Sequence, residues 1–136
     1  MSVEPAKVPW YAVGLVVVGA ICSAFVAAAN FGAGFAAMEL PALLGYAQAV
    51  VLHLIAARVA WGNARSMDSL ARNWARRAIN VAAAFLFIGG ALTAQLRHQW
   101  DGIATIVPGM ALIGLLSAAG PILLIMFFFP HRHATA

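Results

Sequence analysis

One side chain in this sequence could bind a cofactor from within a long apolar segment. His53 lies near the middle of a run dominated by Ala, Leu, Val and Ile. An imidazole nitrogen can ligate the iron of a haem or the magnesium of a bacteriochlorophyll. The small Ala49, one helical turn earlier, would leave room for a flat ring. His53 is therefore a candidate cofactor-binding residue, with haem or bacteriochlorophyll as the cofactor.

A purely structural role for His53 is the alternative, and the sequence does not decide against it. A small residue four positions before a histidine is common in Ala-rich sequence. Ligation of a haem by two histidines needs a second one at similar depth, and the others all lie outside the apolar segments, at His98, His131 and His133. On this alternative His53 is neutral and hydrogen-bonded across a helix bundle to a group such as Asn80, Thr93 or Ser117.

No other pattern in the chain indicates catalysis. It contains no nucleophile–base pair, phosphate-binding loop, CxxC or HExxH motif, and no metal site is predicted. The single Cys22 excludes an intrachain disulfide. No Asp or Glu lies deep in an apolar segment, which argues against a carrier coupled to protons or cations. The sequence therefore predicts a protein that is not an enzyme, with a small-solute channel or carrier as a further alternative.

The elements that position these residues follow from composition. Hydrophobic residues make up 64% of the chain and charged residues 9%, against about 45–50% and about 25% in soluble domains. A soluble fold of this length could not bury so much apolar surface. We predict an all-α integral membrane protein, a four-helix transmembrane bundle formed by residues 1–136 as a single domain. Its helices are predicted at about 10–30, 41–61, 78–96 and 103–129, with a kink at Pro121.

Residues 62–77 form a basic amphipathic segment between the second and third predicted helices. We predict that it lies on the cytoplasmic membrane surface and contacts anionic lipid headgroups. The alternative is an N-terminal extension of the third helix. The residues expected at the lipid interface are Arg65, Arg72, Trp74, Arg76 and Arg77.

The distribution of positive charge predicts the orientation. Four crossings place both termini and the 62–77 segment on one side, with seven of the eight Lys and Arg residues; the other side has only Arg97. Cytoplasmic segments are rich in Lys and Arg, so both termini are predicted to be cytoplasmic. The net charge of +4 is thereby explained by topology, and no nucleic-acid partner is predicted.

Small residues recur at helical spacing and predict close helix packing. Some stripes would hold the bundle together, and another could face a neighbouring protein or a second copy. The packing positions are Gly19, Ser23, Ala27, Ala49, Ala56, Gly114 and Ala118. We therefore predict an accessory or structural subunit that packs against other integral membrane subunits of a larger complex, respiratory or photosynthetic. The alternatives are a pigment-binding protein using His53 and the channel or carrier.

Phe-Gly-Ala occurs at residues 31–33 and is followed by Gly34. Tyr46, Gln48 and His53 form a group on the second predicted helix, and Val-Pro-Gly at residues 107–109 opens the fourth predicted helix. These motifs resemble those of a small bacterial inner-membrane family, a four-helix domain of unknown function whose Phe-Gly-Ala-His motif has a histidine where this chain has Gly34. The resemblance implies a multi-pass protein of the bacterial cytoplasmic (inner) membrane. It implies no activity.

Overall fold

Four long α-helices account for nearly all of the described chain. The computed structural model describes residues 9–65, 69–98 and 102–129. The helices are α1 (Trp10–Ala37), α2 (Ala42–Arg65), α3 (Ser69–His98) and α4 (Ile103–Phe128). Each is long and apolar enough to cross a membrane, and many large apolar side chains are exposed on the outer surface. The prediction of an all-α protein with four potential membrane-spanning helices is confirmed.

The helices form one bundle in which consecutive helices run antiparallel. Ser23 of α1 contacts His53 of α2, whereas Phe31, further along α1, lies against Gly45, earlier in α2. Every helix touches the other three. With four helices in mutual contact, a polar side chain on one helix can reach the backbone of two others.

The interior has two apolar clusters separated along the bundle by a polar layer. One cluster contains Val16, Ala56, Ala60, Ala75, Ile79, Leu124 and Phe129. The other contains Ala27, Phe31, Ala49, Leu86 and Ala118. On α1 and α2, the residues between the clusters include Ser23 and His53. Ser117 of α4 lies next to Ala118 of the second cluster, and all three polar residues are buried. Because alanine is the commonest member of both clusters, the helix backbones approach closely.

Helix α1 extends beyond the predicted end at residue 30, to Ala37. Its glycines, which suggested a loop, are places of close helix contact. A Cβ on Gly34 would lie 2.8 Å from Thr93 of α3, and one on Gly32 would meet the ring of Tyr46. The helix ends where Glu39 has a positive φ of 60° and the Leu40 N–H donates to the Phe35 carbonyl.

Helices α2 and α3 also extend further than predicted, into the basic 62–77 segment. Helix α3 begins at Ser69, so residues 69–77 are the N-terminal extension of the third helix that was the alternative. Helix α2 continues to Arg65, which was not predicted, and the described part of the segment contains no separate surface helix. Ala75 and Ile79 are buried in the same cluster as residues of α2. This burial explains the extension, because it aligns the first turns of α3 with α2.

Candidate functional site

His53 is buried, and both of its ring nitrogens have partners inside the bundle. Nδ1 lies 2.8 Å from the Ala49 carbonyl oxygen of its own helix. A carbonyl can only accept, so Nδ1 carries a hydrogen and donates it. Nε2 lies 3.0 Å from the Ser23 hydroxyl oxygen on α1. The expected cross-bundle hydrogen bond is therefore present, but its partner is Ser23 and not Asn80, Thr93 or Ser117.

Gly120 and Pro121 of α4 explain why this polar layer forms at this level. Proline has no N–H, so the carbonyl of Ser117, four residues earlier, lacks its helical donor. The Ser23 hydroxyl oxygen lies 3.3 Å from that carbonyl and 2.8 Å from the neighbouring Leu116 carbonyl. Its single hydrogen is donated to one of these oxygens or to His53 Nε2 at a time. A Cβ on Gly120 would lie 2.8 Å from Cδ2 of His53. The Gly-Pro pair thus frees an acceptor for α1 and makes space for the imidazole of α2.

The surroundings of His53 do not fit a tetrapyrrole on Nε2. That nitrogen faces the Ser23 hydroxyl, and a Cβ on Gly120 would lie 3.1 Å from it. The space beyond Nε2 is therefore filled by α1 and α4. Ligation of haem or bacteriochlorophyll would require α1 to move away from α2. The ligand role of His53 stays a prediction, and the hydrogen bonds describe a histidine that joins helices.

A second polar cluster joins α1 to α3, nearer the α1–α2 connection. Asn30, 2% exposed, donates through Nδ2 to the Gly90 carbonyl at 2.8 Å and to Thr93 Oγ1 at 2.7 Å. Its Oδ1 accepts from Arg97 Nη1 at 3.0 Å. Both polar atoms of the amide are therefore hydrogen-bonded. The Oδ1 atom holds the Arg97 guanidinium at the C-terminal end of α3, where the helix dipole favours positive charge.

Replacing Asn30 by alanine is expected to lower the free energy of unfolding by about 2 kcal/mol, because polar contacts between membrane helices contribute about 0.6–2 kcal/mol each. Asn80→Ala is the matched control, since Asn80 is exposed on α3 and makes no hydrogen bond in the described part of the structure. Unfolding in detergent followed by circular dichroism gives both values. Equal stability of the two variants would contradict the role of Asn30.

The predicted packing positions lie between helices. The fully or almost fully buried members are Ser23, Ala27, Ala49, Ala56, Gly114 and Ala118. Gly19 is half-buried, and a Cβ there would lie 2.7 Å from Leu123 of α4. A Cβ on Gly114 would lie 2.7 Å from the Phe87 carbonyl oxygen of α3. This set of small residues is therefore used within the bundle.

Four of the five predicted lipid-interface residues lie in the first turns of α3, and Arg65 is the last residue of α2. Trp74 is 62% exposed, and the guanidinium carbon of Arg77 lies 5.4 Å from the centroid of its ring, a distance typical of a cation–π contact. Arg72 and Arg76 are half-buried on the same helix. The Arg65 side chain lies outside the described part of the structure. An exposed tryptophan beside arginines is typical of a membrane interface.

Outside the packed interior, α1 and α2 border an open apolar groove. It consists of two adjoining hollows of about 200 and about 260 Å³, which share Ile21, Ala24 and Val50. Ala20 and Ala28 continue the α1 wall at four-residue spacing. His53 also lines the groove, but it presents only apolar ring atoms there, because its two ring nitrogens face Ser23 and the Ala49 carbonyl. We call this feature the α1–α2 groove.

Comparison with known proteins adds no family. No protein-family model, curated protein or solved structure matches the chain. The resemblance to the Phe-Gly-Ala-His family stays a prediction. Among the described residues, no three His, Cys, Asp or Glu side chains are placed to hold a metal ion. The site residue missed from the sequence is Ser23 as the partner of His53, for which the free Ser117 carbonyl was the available signal.

Proposed function

We propose that this chain is a non-catalytic integral membrane subunit that packs against a larger membrane complex. The α1–α2 groove is the observation that carries the proposal. Its floor and walls are apolar, its α1 side is a stripe of alanines at four-residue spacing, and no described element of the chain covers it. Small residues at this spacing let a second helix approach closely in a membrane. The proposed occupant is a transmembrane helix of another subunit.

The proposal includes the location and the orientation of the chain. It places the four helices across a bacterial cytoplasmic membrane with both termini in the cytoplasm. The support is the excess of Lys and Arg on that side and the exposed Trp74–Arg77 pair at the start of α3. Respiratory and photosynthetic assemblies are the proposed host complexes, since small subunits without their own chemistry occur at the periphery of such assemblies.

The buried polar side chains form hydrogen bonds inside the bundle, which also favours a packing role. His53, Ser23 and Asn30 are buried and engaged in hydrogen bonds between or within helices. A channel or carrier needs polar groups that face a water-filled path. The described polar clusters face the bundle interior instead. The groove, by contrast, is open to the outside.

Native co-purification tests the proposal. The C-terminally tagged chain is expressed from its own locus, extracted in a mild detergent, and the co-eluting chains are identified by mass spectrometry. We expect a stoichiometric set of larger membrane proteins. Ala24→Leu fills the groove and is expected to reduce their recovery about five- to 150-fold, because overpacking a close contact costs about 1–3 kcal/mol. Val18→Leu is the control, since Val18 is exposed outside the groove.

Two results would contradict this account. If the wild-type chain elutes alone, it is not a stable subunit of a larger complex. If partners elute with wild type and with Ala24→Leu in equal amounts, the partner helix does not occupy the α1–α2 groove. Thermal unfolding of each variant in detergent is measured in parallel, so that loss of partners is separated from loss of the fold.

A further inference from the structure

A pocket on another side of the bundle is lined by a polar side chain that makes no hydrogen bond to the described residues. It has a volume of about 370 Å³ and lies between α1, α2 and α3. Phe31, Phe35 and Phe85 contribute three aromatic rings to its wall. Gln48 and Thr93 are its polar members. We call it the aromatic pocket. Its volume falls within the range of about 300–1,000 Å³ that is usual for small-molecule sites.

Gln48 is the unusual member of this pocket. It is half-buried on the second turn of α2, and within the described part of the structure its amide makes no hydrogen bond. Thr93 differs, because its hydroxyl donates to the Gly89 carbonyl and accepts from Asn30. An amide without a partner in an apolar environment is costly. A bound molecule with an oxygen atom at this position would remove that cost.

The wall restricts the shape of such a molecule. The Phe31 ring is buried and fixed over Gly89, where a Cβ would lie 3.0 Å from it. Phe35 and Phe85 add two further rings, and Met38 contributes a thioether at the rim. Aromatic rings stack favourably on flat rings, and thioethers make favourable contacts with ring edges. The wall therefore favours a flat ring over a flexible chain.

The lack of charged side chains in the described wall also restricts the kind of molecule that can bind. Among the residues that the structure describes, no Lys, Arg, Asp or Glu lines the pocket. A phosphate or carboxylate headgroup would therefore lose its water without gaining an ion pair from them. A saturated acyl chain would fill the space but leave the Gln48 amide unpaired. A neutral ring with carbonyl or hydroxyl oxygens carries no charge and also offers the Gln48 amide a hydrogen-bond partner. The amide can donate to a carbonyl through Nε2 or accept from a hydroxyl through Oε1.

We propose that the aromatic pocket binds the ring of a lipid-soluble quinone or hydroquinone, with Gln48 as its hydrogen-bond partner. Gln48 lies about 9 Å along α2 from Ala42, at about 1.5 Å per residue. The ring therefore lies inside the bundle's length, about two turns from the N-terminal end of α2. The apolar tail extends along the exposed side chains of α3. Binding at this pocket is independent of any partner in the α1–α2 groove.

Photolabelling with a short-tailed azidobenzoquinone tests the proposal on the purified full chain in lipid nanodiscs. We expect saturable labelling of peptides containing Phe31–Met38 or Phe85–Leu96, displaced by decylubiquinone. Gln48→Leu keeps the volume and removes the amide. It is expected to weaken half-saturation about tenfold, the effect of one lost hydrogen bond in an apolar site. Gln95→Leu is the matched control, since Gln95 lies on α3 but does not line the pocket.

Three results would overturn the proposal. Labelling that never saturates would mean that the probe only partitions into lipid. Displacement by oleic acid as effective as that by decylubiquinone would identify an acyl-chain groove. Equal half-saturation for Gln48→Leu, Gln95→Leu and wild type would remove Gln48 from the site. None of these results depends on co-purifying partners, so this proposal and the proposed subunit role fail separately.

Discussion

Replacing Gly45 by alanine is expected to separate α1 from α2 and to destabilise the whole bundle. A Cβ on Gly45 would lie 2.5 Å from the carbonyl carbon and oxygen of Phe31 and 2.6 Å from the backbone nitrogen of Gly32. These neighbours are backbone atoms, which cannot rotate away as a side chain does. Overpacking usually costs about 1–3 kcal/mol. We expect a loss near or above the upper end, about 3 kcal/mol.

Gly14→Ala is the control for Gly45→Ala. Gly14 is also a helical glycine, but a Cβ there would have nothing within 4 Å. Alanine favours helix over glycine by about 1 kcal/mol, so this variant should be as stable as wild type or slightly more stable. Unfolding midpoints in a denaturing detergent titration compare the two. Similar midpoints for both variants would mean that α1 and α2 do not meet at Gly45.

Gly120→Ala and His53→Ala are expected to destabilise the bundle separately and to compensate in part when combined. The alanine at 120 would place its Cβ 2.8 Å from the His53 ring, which its hydrogen bonds to Ala49 and Ser23 hold in place. We expect a cost of about 2 kcal/mol from overpacking. His53→Ala removes a buried side chain and leaves a cavity, at a cost of about 2–4 kcal/mol.

The double variant isolates the contact between the two positions. Removing the imidazole makes space for the new methyl group, so the combined loss should be smaller than the sum by about 1 kcal/mol or more. Gly19→Ala in the His53→Ala background is the control, because its nearest neighbour is the flexible end of Leu123. Simple additivity of Gly120→Ala and His53→Ala would place the imidazole elsewhere in the bundle.

The four helices could be predicted from the sequence because apolar runs long enough to span a membrane are a strong signal. Their ends could not, because local and tertiary effects compete there. Gly32 and Gly34 have the composition of a loop, yet they lie within α1 because Tyr46 and Thr93 pack against them. Ala75 and Ile79 belong to α3 because a cluster with α2 buries them. These contacts join residues far apart in the sequence, so they cannot be identified before the helices are packed together.

The candidate site was likewise only partly predictable from the sequence. His53 stood out as an ionisable residue in an apolar segment, and Pro121 indicated a free carbonyl at Ser117. The sequence contains many small polar residues, and only the antiparallel register of α1 against α2 and α4 selects Ser23 as their partner. Gln48 and Asn30 are both amides in apolar surroundings. Only the three-dimensional arrangement shows that Asn30 has three hydrogen-bond partners and that Gln48 has none among the described residues.

The most direct test of the proposed subunit role is the mass of the particle that contains this chain in its own membrane. Native membranes at natural expression levels are dispersed into polymer nanodiscs without detergent, and the tagged particles are measured by mass photometry. We predict a protein mass far above that of one or two chains of 14.2 kDa. A particle containing only one or two copies of the chain would contradict the account, and His53 and the aromatic pocket would then be the places to seek its function.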